Sequence, residues 1–412
     1  MGERSVYRSV GQKEDTEGIA KRVAQISVSA IKQMPVLASK VDGCISLGQG
    51  IPSFETPLFI REAVIEALRR DPAIGKYSLQ PGLPELKIEI SRYLQQTKNI
   101  RVDSEKEIFI SCGAMEALAA AAATIVERGD EVLIPSPTYS SHIEQILFAE
   151  GKPVFVPLIE DQEWKLDLEG FKRAITPKTK AIFLCNPMNP TGAVFSQAEL
   201  EILAQIALEH NLFIINDEAY DFLVYDNLPY FSLTAIPDIK KNLITTYSFS
   251  KMFCMTGWRV GYMVASARIV DQVLKVHDAF AICAPRISQY AALTALKATN
   301  GRDDEGDTSI QQLVDRLESR REIACQRLNN LSHVFSYLKP RGAYYVFPKI
   351  MIKEMGSMDV SLGLLYEAKV ITIPGNGFGP SGEGHIRISF GATEEEISKA
   401  FDRVDIWAKK WR

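Results

Sequence analysis

The sequence predicts an α/β protein with a large domain, in which a mostly parallel sheet lies between helices, and a smaller α+β domain. Between residues 107 and 265, short apolar runs of strand length alternate with amphipathic stretches of helical length. Beyond residue 306, a long helix-like segment precedes three short apolar runs. The chain has 412 residues, of which 46% are apolar and 24% are charged, so it can bury a large core over more than one domain.

Three helices are predicted ahead of the sheet, at 26–37, 57–70 and 85–96, because apolar residues recur there with helical spacing. Residues 1–20 are polar and aperiodic, which predicts a flexible arm. Glycine and proline mark a loop over 76–84 and a turn at Gly48-Gln-Gly-Ile-Pro52. That turn either exposes backbone amides to a ligand or a partner chain, or simply links a strand to a helix.

Within the sheet region, the apolar runs predict strands and the stretches between them predict the covering helices. The strands are expected at 108–111, 131–134, 153–157, 181–185, 212–216, 244–247 and 259–265. The helices are expected at 114–127, 140–149, 168–174 and 197–209. Because ligands of such sheets lie beyond the carboxyl ends of the strands, the polar residues that end these runs are the site candidates.

The second domain is expected to follow a break at 301–307, where the chain is charged and contains glycine. A long helix is predicted at 309–330, and strands are predicted at 344–347, 370–373 and 385–389. We expect residues 54–305 to form the large domain. Residues 306–412 are expected to form the small domain together with residues 21–53.

Composition excludes several classes of function. The formal net charge is −4 and like charges form no long run, so neither nucleic acid nor an anionic membrane is an expected partner. The six cysteines lie far apart, without a C-x-x-C pair or a nearby histidine at ligand spacing, which indicates reduced thiols and no metal site. No apolar run is long enough to span a bilayer, and no signal peptide is recognised. We therefore expect a cytoplasmic protein that acts on small molecules.

The polar stretch from Ser248 to Arg259 carries the strongest chemical signal. A lysine that is enclosed, as Lys251 would be at a strand end, has a lowered pKa and becomes a nucleophilic amine suited to a Schiff base with a carbonyl. The fork-shaped guanidinium of Arg259 suits a phosphate. Together they fit pyridoxal phosphate, which carries both an aldehyde and a phosphate. The alternative is a surface turn with an ordinary charge at a strand edge.

Two further strand ends suggest how a flat phosphorylated ligand would be held. Gly113, Ala114 and Met115 begin a helix directly after a strand, so their amides would form a phosphate cradle at the positive end of the helix dipole. The glycine could equally serve close packing. Tyr139 ends the next strand and offers a stacking face, unless it is simply structural.

Asn189 and Asp217 follow two later strands. Asn189 lies in a rigid loop with two Asn-Pro units, where its amide can bind both a phenolate oxygen and a substrate carboxylate; the alternative is an Asx turn. Asp217 ends a buried strand and needs a cation, for which a protonated pyridine nitrogen is a candidate. A metal is the alternative, although no partner ligand stands at suitable spacing. Tyr220 is close enough in sequence to reach the adjacent ring oxygen.

Two residues outside the sheet region complete the candidates. Arg387 lies inside a predicted strand of the small domain, where it would bind either a substrate α-carboxylate or an internal acidic partner. Tyr77, in the 76–84 loop, is either core filler or a phenol presented at the surface.

This set of residues resembles the class I and II aminotransferases of the pyridoxal-phosphate-dependent fold-type I superfamily, from about residue 30 to the end. The family's motifs occur in the family's order: N-P-x-N-P-T-G at 186–192, D-E-x-Y at 217–220, S-x-S-K at 248–251 with Arg259 eight residues on, and R-I-S-F at 387–390. The resemblance implies an aspartate-aminotransferase-like fold and pyridoxal 5'-phosphate as cofactor.

The resemblance also implies a role for each site residue. Lys251, Asp217 and Tyr220 are the implied catalytic residues: Lys251 joins the cofactor through a Schiff base, Asp217 contacts the pyridine nitrogen, and Tyr220 binds the ring oxygen together with Asn189. Tyr139 lies under the ring. The implied phosphate ligands are Gly113, Ala114, Met115, Ser248, Ser250, Arg259 and, from the other subunit, Tyr77. The implied ligands of the substrate carboxylate are Gly50, Asn189 and Arg387.

The implied activity is transfer of an amino group from an L-amino acid to a 2-oxo acid such as 2-oxoglutarate, by a ping-pong mechanism in a homodimer with shared active sites. Many aspartate-specific relatives have tryptophan at the stacking position, where this chain has Tyr139. Tyr344, Tyr345 and Phe347 lie in a predicted aromatic strand that is a candidate to approach the site. We therefore expect neutral or aromatic donors, with aspartate as a further candidate. A lyase or synthase on the same fold remains an alternative, as does a non-catalytic regulator, against which the complete lysine, aspartate and arginine set argues.

Overall fold

The structure is a computed structural model that describes residues 17–26, 30–302, 305–353 and 355–412. Residues 1–16, the greater part of the predicted N-terminal arm, lie outside the described residues. No helix in the described ranges is long and apolar enough to cross a membrane.

Amphipathic segments form helices that cover the sheets and bury their apolar faces. In chain order the α-helices are Lys21–Ala24 (α1), Ala30–Ala38 (α2), Leu58–Arg70 (α3), Pro84–Lys98 (α4), Ala114–Ile125 (α5), Ser140–Phe148 (α6), Leu168–Ala174 (α7), Gln197–Glu209 (α8), Phe249–Met252 (α9), Ala267–Ala281 (α10), Arg286–Lys297 (α11), Glu305–Asn329 (α12), Ser357–Tyr366 (α13) and Glu394–Ala408 (α14).

The apolar runs form strands, as the alternation predicts. In chain order they are Ile45–Ser46 (β1), Ile108–Ser111 (β2), Glu131–Ser136 (β3), Lys152–Pro157 (β4), Thr179–Cys185 (β5), Phe213–Asp217 (β6), Leu243–Ser248 (β7), Gly261–Ala265 (β8), Phe335–Ser336 (β9), Tyr345–Val346 (β10), Lys349–Ile350 (β11), Val370–Ile371 (β12), Ile373–Pro374 (β13) and Ile386–Ser389 (β14).

The main sheet has seven strands in the described part of the chain, in the order β2-β8-β7-β6-β5-β3-β4. All neighbouring pairs are parallel except those of β8, which is antiparallel to both β2 and β7. Its central strands are buried almost throughout, as expected where helices cover both faces of a sheet. The predicted mostly parallel sheet between helices is therefore confirmed.

The C-terminal part contains a small antiparallel sheet in which β14 lies between β10 and β13. An N-terminal strand also reaches this part, because β1 pairs in parallel with β12 through Ile45 and Val370. One hydrophobic cluster contains both Met34 and Leu133, so apolar packing is continuous across the proposed domain boundary. The division at residues 54 and 306 stays a prediction.

Three predicted segments were wrong in ways that have a structural cause. The strand expected at 259–265 begins at Gly261, because Arg259 has left-handed backbone geometry with φ of 54°. The strand expected at 370–373 is two strands with different partners, β12 and β13. The break expected at 301–307 is largely helical: a π-helical turn runs from Ala298 to Arg302 and α12 starts at Glu305, while residues 303–304 lie outside the described residues.

Gly306 explains why the predicted break fails. A Cβ at this position would lie 2.5 Å from the backbone nitrogen of Thr299, a distance at which one of the two segments would have to move. The glycine therefore permits close packing between α12 and the preceding turn instead of ending a helix.

Candidate active site

A cleft of about 190 Å³ lies beyond the carboxyl ends of β5, β6 and β7, where a ligand of such a sheet is expected. Both ends of the chain contribute to its lining. Most of the predicted site residues line it, namely Gly50, Ala114, Met115, Tyr139, Asn189, Asp217, Tyr220, Ser248, Ser250, Lys251, Arg259 and Arg387. The fold thus brings together residues that lie far apart in sequence.

Lys251 lies on the short helix α9, directly after β7. Ser248 caps this helix, and its hydroxyl accepts the backbone N–H of Ser250 at 3.1 Å. Burial, together with the positive charges of Arg387 and Arg259, lowers the pKa of the Lys251 amine to about 8. The neutral amine is therefore far more abundant near neutral pH than for an ordinary lysine, as a nucleophile requires.

The Lys251 amine donates a hydrogen bond to the carbonyl of Gly50 at 2.5 Å, and the Tyr344 hydroxyl donates to the same carbonyl at 2.7 Å. A Cβ at Gly50 would lie 2.5 Å from the hydroxyl oxygen of Tyr345, so a larger residue would displace this ring. The Tyr345 hydroxyl is also 2.8 Å from that of Tyr220. Gly50 and the tyrosines around it therefore limit the space in the cleft next to the Lys251 amine.

Asp217 is buried at the end of β6, where its charge needs partners. Its Oδ2 lies 3.1 Å from Nε2 of His142, and its Oδ1 accepts the backbone N–H of Ala219 at 3.0 Å. The imidazole of His142 stacks on Phe183 with 4.5 Å between ring centroids. Among the described residues no lysine or arginine pairs with Asp217. The carboxylate can therefore accept a further N–H, such as that of a pyridinium.

The N-terminus of α5 and Arg259 form a positive end of the cleft. The backbone N–H groups of Gly113, Ala114 and Met115 have no acceptor among the described residues, and they lie at the positive end of the helix dipole. Gly113 itself lies just outside the cleft lining; it has φ of 82°, and a Cβ there would overlap the Arg259 guanidinium. This end of the cleft is built to bind an anion such as a phosphate.

Arg259 donates to the carbonyls of Thr256 and Cys112 at 3.0 and 3.3 Å. It forms no ion pair with any carboxylate in the described ranges, so its charge remains available to a ligand.

Arg387 is buried on β14. Its Nη1 donates to the side-chain oxygen of Asn189 at 3.0 Å, its Nη2 donates to the carbonyl of Gly48 at 2.7 Å, and its guanidinium lies 4.4 Å from the ring centroid of Tyr345. Its Nε has no acceptor, and no carboxylate in the described part of the chain pairs with it. The internal salt bridge that the sequence left open is therefore not formed, and an incoming carboxylate can balance the charge.

Tyr77 is the predicted site residue that the fold places away from the cleft. It is 75% exposed in the connection between α3 and α4, so it is not core filler. This connection is anchored by the Gln289 side chain, which donates to the Ser78 hydroxyl at 2.8 Å. The role of Tyr77 in another subunit's site stays a prediction.

Sequence reasoning missed His142 and several uncharged residues of the cleft. His142 lies 75 residues from Asp217, and no local pattern marks the pairing. The lining residues that were not singled out are mostly apolar, and such residues look like ordinary core in a sequence: Ile31, Ile51, Leu118, Cys185, Ala219 and Thr256.

The sequence matches the family model described as aminotransferase class I and II over residues 42–404. The chain belongs to the class I and II aminotransferases. It is 36% identical to an aspartate aminotransferase of Pyrococcus abyssi, over 94% of this chain and 97% of the relative. It is 35% identical to aromatic-amino-acid aminotransferase 2 of Thermococcus litoralis, with the same coverage of both chains.

A solved structure confirms the fold of this aminotransferase. A double mutant of Thermus thermophilus aspartate aminotransferase superimposes with a TM-score of 0.88 at 29% identity, over 95% of this chain and 99% of that one. The aspartate-aminotransferase-like architecture of fold type I is therefore confirmed. The family implies pyridoxal phosphate as cofactor.

Proposed function

We propose that this aminotransferase moves an amino group from a neutral or aromatic L-amino acid to a 2-oxo acid such as 2-oxoglutarate, by a ping-pong mechanism with pyridoxal phosphate. The observation that carries the proposal is Arg387, a buried guanidinium without an acidic partner among the described residues, next to an amine whose pKa is lowered. An α-carboxylate on the arginine would bring the substrate toward Lys251.

The residues of the cleft fit the cofactor at each of its functional groups. Unbonded backbone amides at the start of α5 and the guanidinium of Arg259 suit the phosphate. Asp217 suits a ring nitrogen that carries a proton, and the side-chain amide of Asn189 and the hydroxyl of Tyr220 suit the ring oxygen. Tyr139, half-buried at the start of α6, offers a face to the ring.

When bound, pyridoxal phosphate supplies a reactive aldehyde carbon and a ring that withdraws electrons from the substrate's Cα. Asp217 keeps a proton on the ring nitrogen, because its buried carboxylate is balanced by that proton. In its neutral form, which the lowered pKa makes accessible, Lys251 would remove a proton from Cα and return it to an adjacent carbon as a general acid–base. Arg387 holds the carboxylate, so that Cα faces the amine.

The uncharged residues that line the cleft support the proposed preference for a substrate with an uncharged side chain. Arg387 and Arg259 are both assigned to other groups in this proposal, and Ile31, Ile51 and Leu118 add apolar surface. A second carboxylate would thus find no free guanidinium in this chain's lining. The two relatives above are named for aspartate and for aromatic amino acids, so either class is compatible with the family.

We also propose a cytoplasmic homodimer in which Tyr77 of each subunit contributes to the partner's site. Support comes from the exposure of Tyr77 outside its own cleft. All six cysteines are free, which suits a reducing compartment.

A half-reaction experiment tests the proposed reaction. The protein loaded with pyridoxal phosphate is mixed with single L-amino acids in the absence of any 2-oxo acid. We expect phenylalanine, leucine and similar donors to release stoichiometric 2-oxo acid in one turnover, with later transfer of the held amino group to added 2-oxoglutarate. Multiple turnovers without an acceptor would show a lyase, and a response to aspartate alone would overturn the assigned donor class.

A further inference from the structure

His277 and Glu116 form a partly buried pair next to the cleft without lining it. His277 is fully buried on α10, and its Nδ1 lies 3.0 Å from Oε1 of Glu116 in the first turn of α5. The ring of Phe109 packs against the imidazole, with 5.1 Å between centroids. The proposed mechanism uses neither residue of the pair.

Glu116 connects the pair to the loop that precedes α5. Its Oε2 accepts the backbone N–H of Cys112 at 3.2 Å, and the carbonyl of Cys112 accepts from Arg259 at 3.3 Å. Cys112 is thus held at its N–H by Glu116 and at its C=O by a proposed phosphate ligand. Gly113 and the free amides follow immediately, so their direction depends on how Cys112 is held.

Because Glu116 is negatively charged, its position affects whether an anion can bind at the start of α5. A carboxylate in the first turn of a helix is attracted to the same backbone amides that would bind a phosphate. Here one oxygen of the carboxylate is paired with His277 and the other accepts from Cys112, and neither Glu116 nor His277 lines the cleft. Without His277 the carboxylate would be free to turn toward the amides and repel a bound anion.

We propose that His277 and Glu116 are positioning residues for the phosphate end of the cofactor site. Glu116 holds Cys112 so that the amides of Gly113, Ala114 and Met115 face the phosphate, and His277 holds Glu116 away from it. The inference rests on the proposed function, because it takes pyridoxal phosphate to be the ligand of this cleft.

The test compares pyridoxal phosphate with pyridoxal, which lacks the phosphate, by equilibrium dialysis against the cofactor-free protein. For Glu116→Ala and His277→Ala we expect the Kd of pyridoxal phosphate to rise about tenfold, the size of one lost charge-assisted hydrogen bond, with little change for pyridoxal. Glu116→Gln removes the charge but keeps an acceptor for the Cys112 N–H, and its NH₂ can donate to Nδ1 of His277 in the tautomer protonated at Nε2. This variant should therefore bind pyridoxal phosphate nearly as the wild type does. Glu127→Ala, an exposed position just beyond α5, is the matched control and should bind both compounds as the wild type does.

Equal weakening for both compounds, or wild-type affinity in both alanine variants, would overturn the inference. If His277→Ala fails to fold, Glu116→Ala alone decides, because this residue is only partly buried. Arg259→Ala separates this inference from the proposed function. If that variant binds pyridoxal phosphate normally, the phosphate site itself is misplaced; if it binds weakly while the Glu116 variants do not, only the positioning role is lost.

Discussion

For Arg387, the sequence predicted the burial of the side chain but not its hydrogen-bond partners. Its place inside an apolar strand predicts a buried guanidinium that needs an anion, and it is indeed buried. Its neighbours could not be predicted, because Gly48 and Asn189 reach it from distant parts of the chain. The hydrogen bond to Asn189 also orients that side chain, so that its NH₂ group remains available as a donor.

Arg387→Lys tests the role of the guanidinium. Lysine keeps the charge but loses the planar fork, so the KM for amino acids should rise by about tenfold to a hundredfold. Affinity for pyridoxal phosphate should stay close to that of the wild type. Arg341→Lys, on a partly exposed residue that pairs with Glu163, is the control. An unchanged KM in Arg387→Lys would remove the carboxylate assignment.

The lowered pKa of the Lys251 amine should be measurable as the pH dependence of its chemical modification. Its pKa is lowered from 10.5 to about 8, so the neutral form becomes dominant as the pH rises through about 8. In the cofactor-free protein, modification of Lys251 by an amine-reactive reagent, followed by peptide mass analysis, should therefore level off above about pH 9, while ordinary lysines continue to react faster. A midpoint near that of the surface lysines would show that the amine is not perturbed.

At the scale of elements, alternation predicted the strands of the main sheet well, because most of them are apolar runs, and several, such as β6 and β7, end at a polar residue. The order of the strands was not predictable, and neither was the antiparallel direction of β8, since these depend on pairing between distant segments. The 301–307 stretch was misread because local composition does not show a glycine that serves close approach. The pairing of His142 with Asp217 could not be predicted either, because it joins α6 to β6, which are far apart in sequence.

Gly306→Ala tests this explanation of the misread helix. Alanine has the higher helix propensity, worth up to about 1 kcal/mol, but its Cβ would meet the backbone of Thr299, and overpacking of this kind costs about 1–3 kcal/mol. We therefore expect a net loss of stability in chemical denaturation. Gly75→Ala is the control, because a Cβ there meets open space. A more stable Gly306→Ala protein would show that the helices are not in close contact.

At the scale of the whole molecule, the cleft is assembled from the main sheet, the small C-terminal sheet and the N-terminal segment. Gly50 and Arg387 approach Lys251 because β1 and the C-terminal strands lie together. The sequence alone predicted which kinds of side chain end the strands, but not that these side chains share one site. That they share a site was predicted from the resemblance to a known family, through motifs in the family's order.

Shared active sites are tested by mixing two impaired proteins. In a two-fold dimer, Lys251→Ala subunits combined with Tyr77→Phe subunits should produce heterodimers with one site carrying both defects and one carrying neither. After subunit exchange, activity should therefore exceed the average of the two parents. If Tyr77→Phe alone is impaired and mixing gives no rise, Tyr77 serves its own chain.

The central claim is that Lys251 is the amine that binds the cofactor, and peptide mapping after borohydride reduction tests it most directly. The protein is incubated with pyridoxal phosphate, reduced and digested, and the modified lysine is identified by mass spectrometry. We predict that a single peptide containing Lys251 carries the pyridoxyl phosphate group, and that Lys251→Ala lacks both this label and the visible absorption band of the loaded protein. Stoichiometric labelling of another lysine in the wild type, or an unchanged absorption band in Lys251→Ala, would contradict the account.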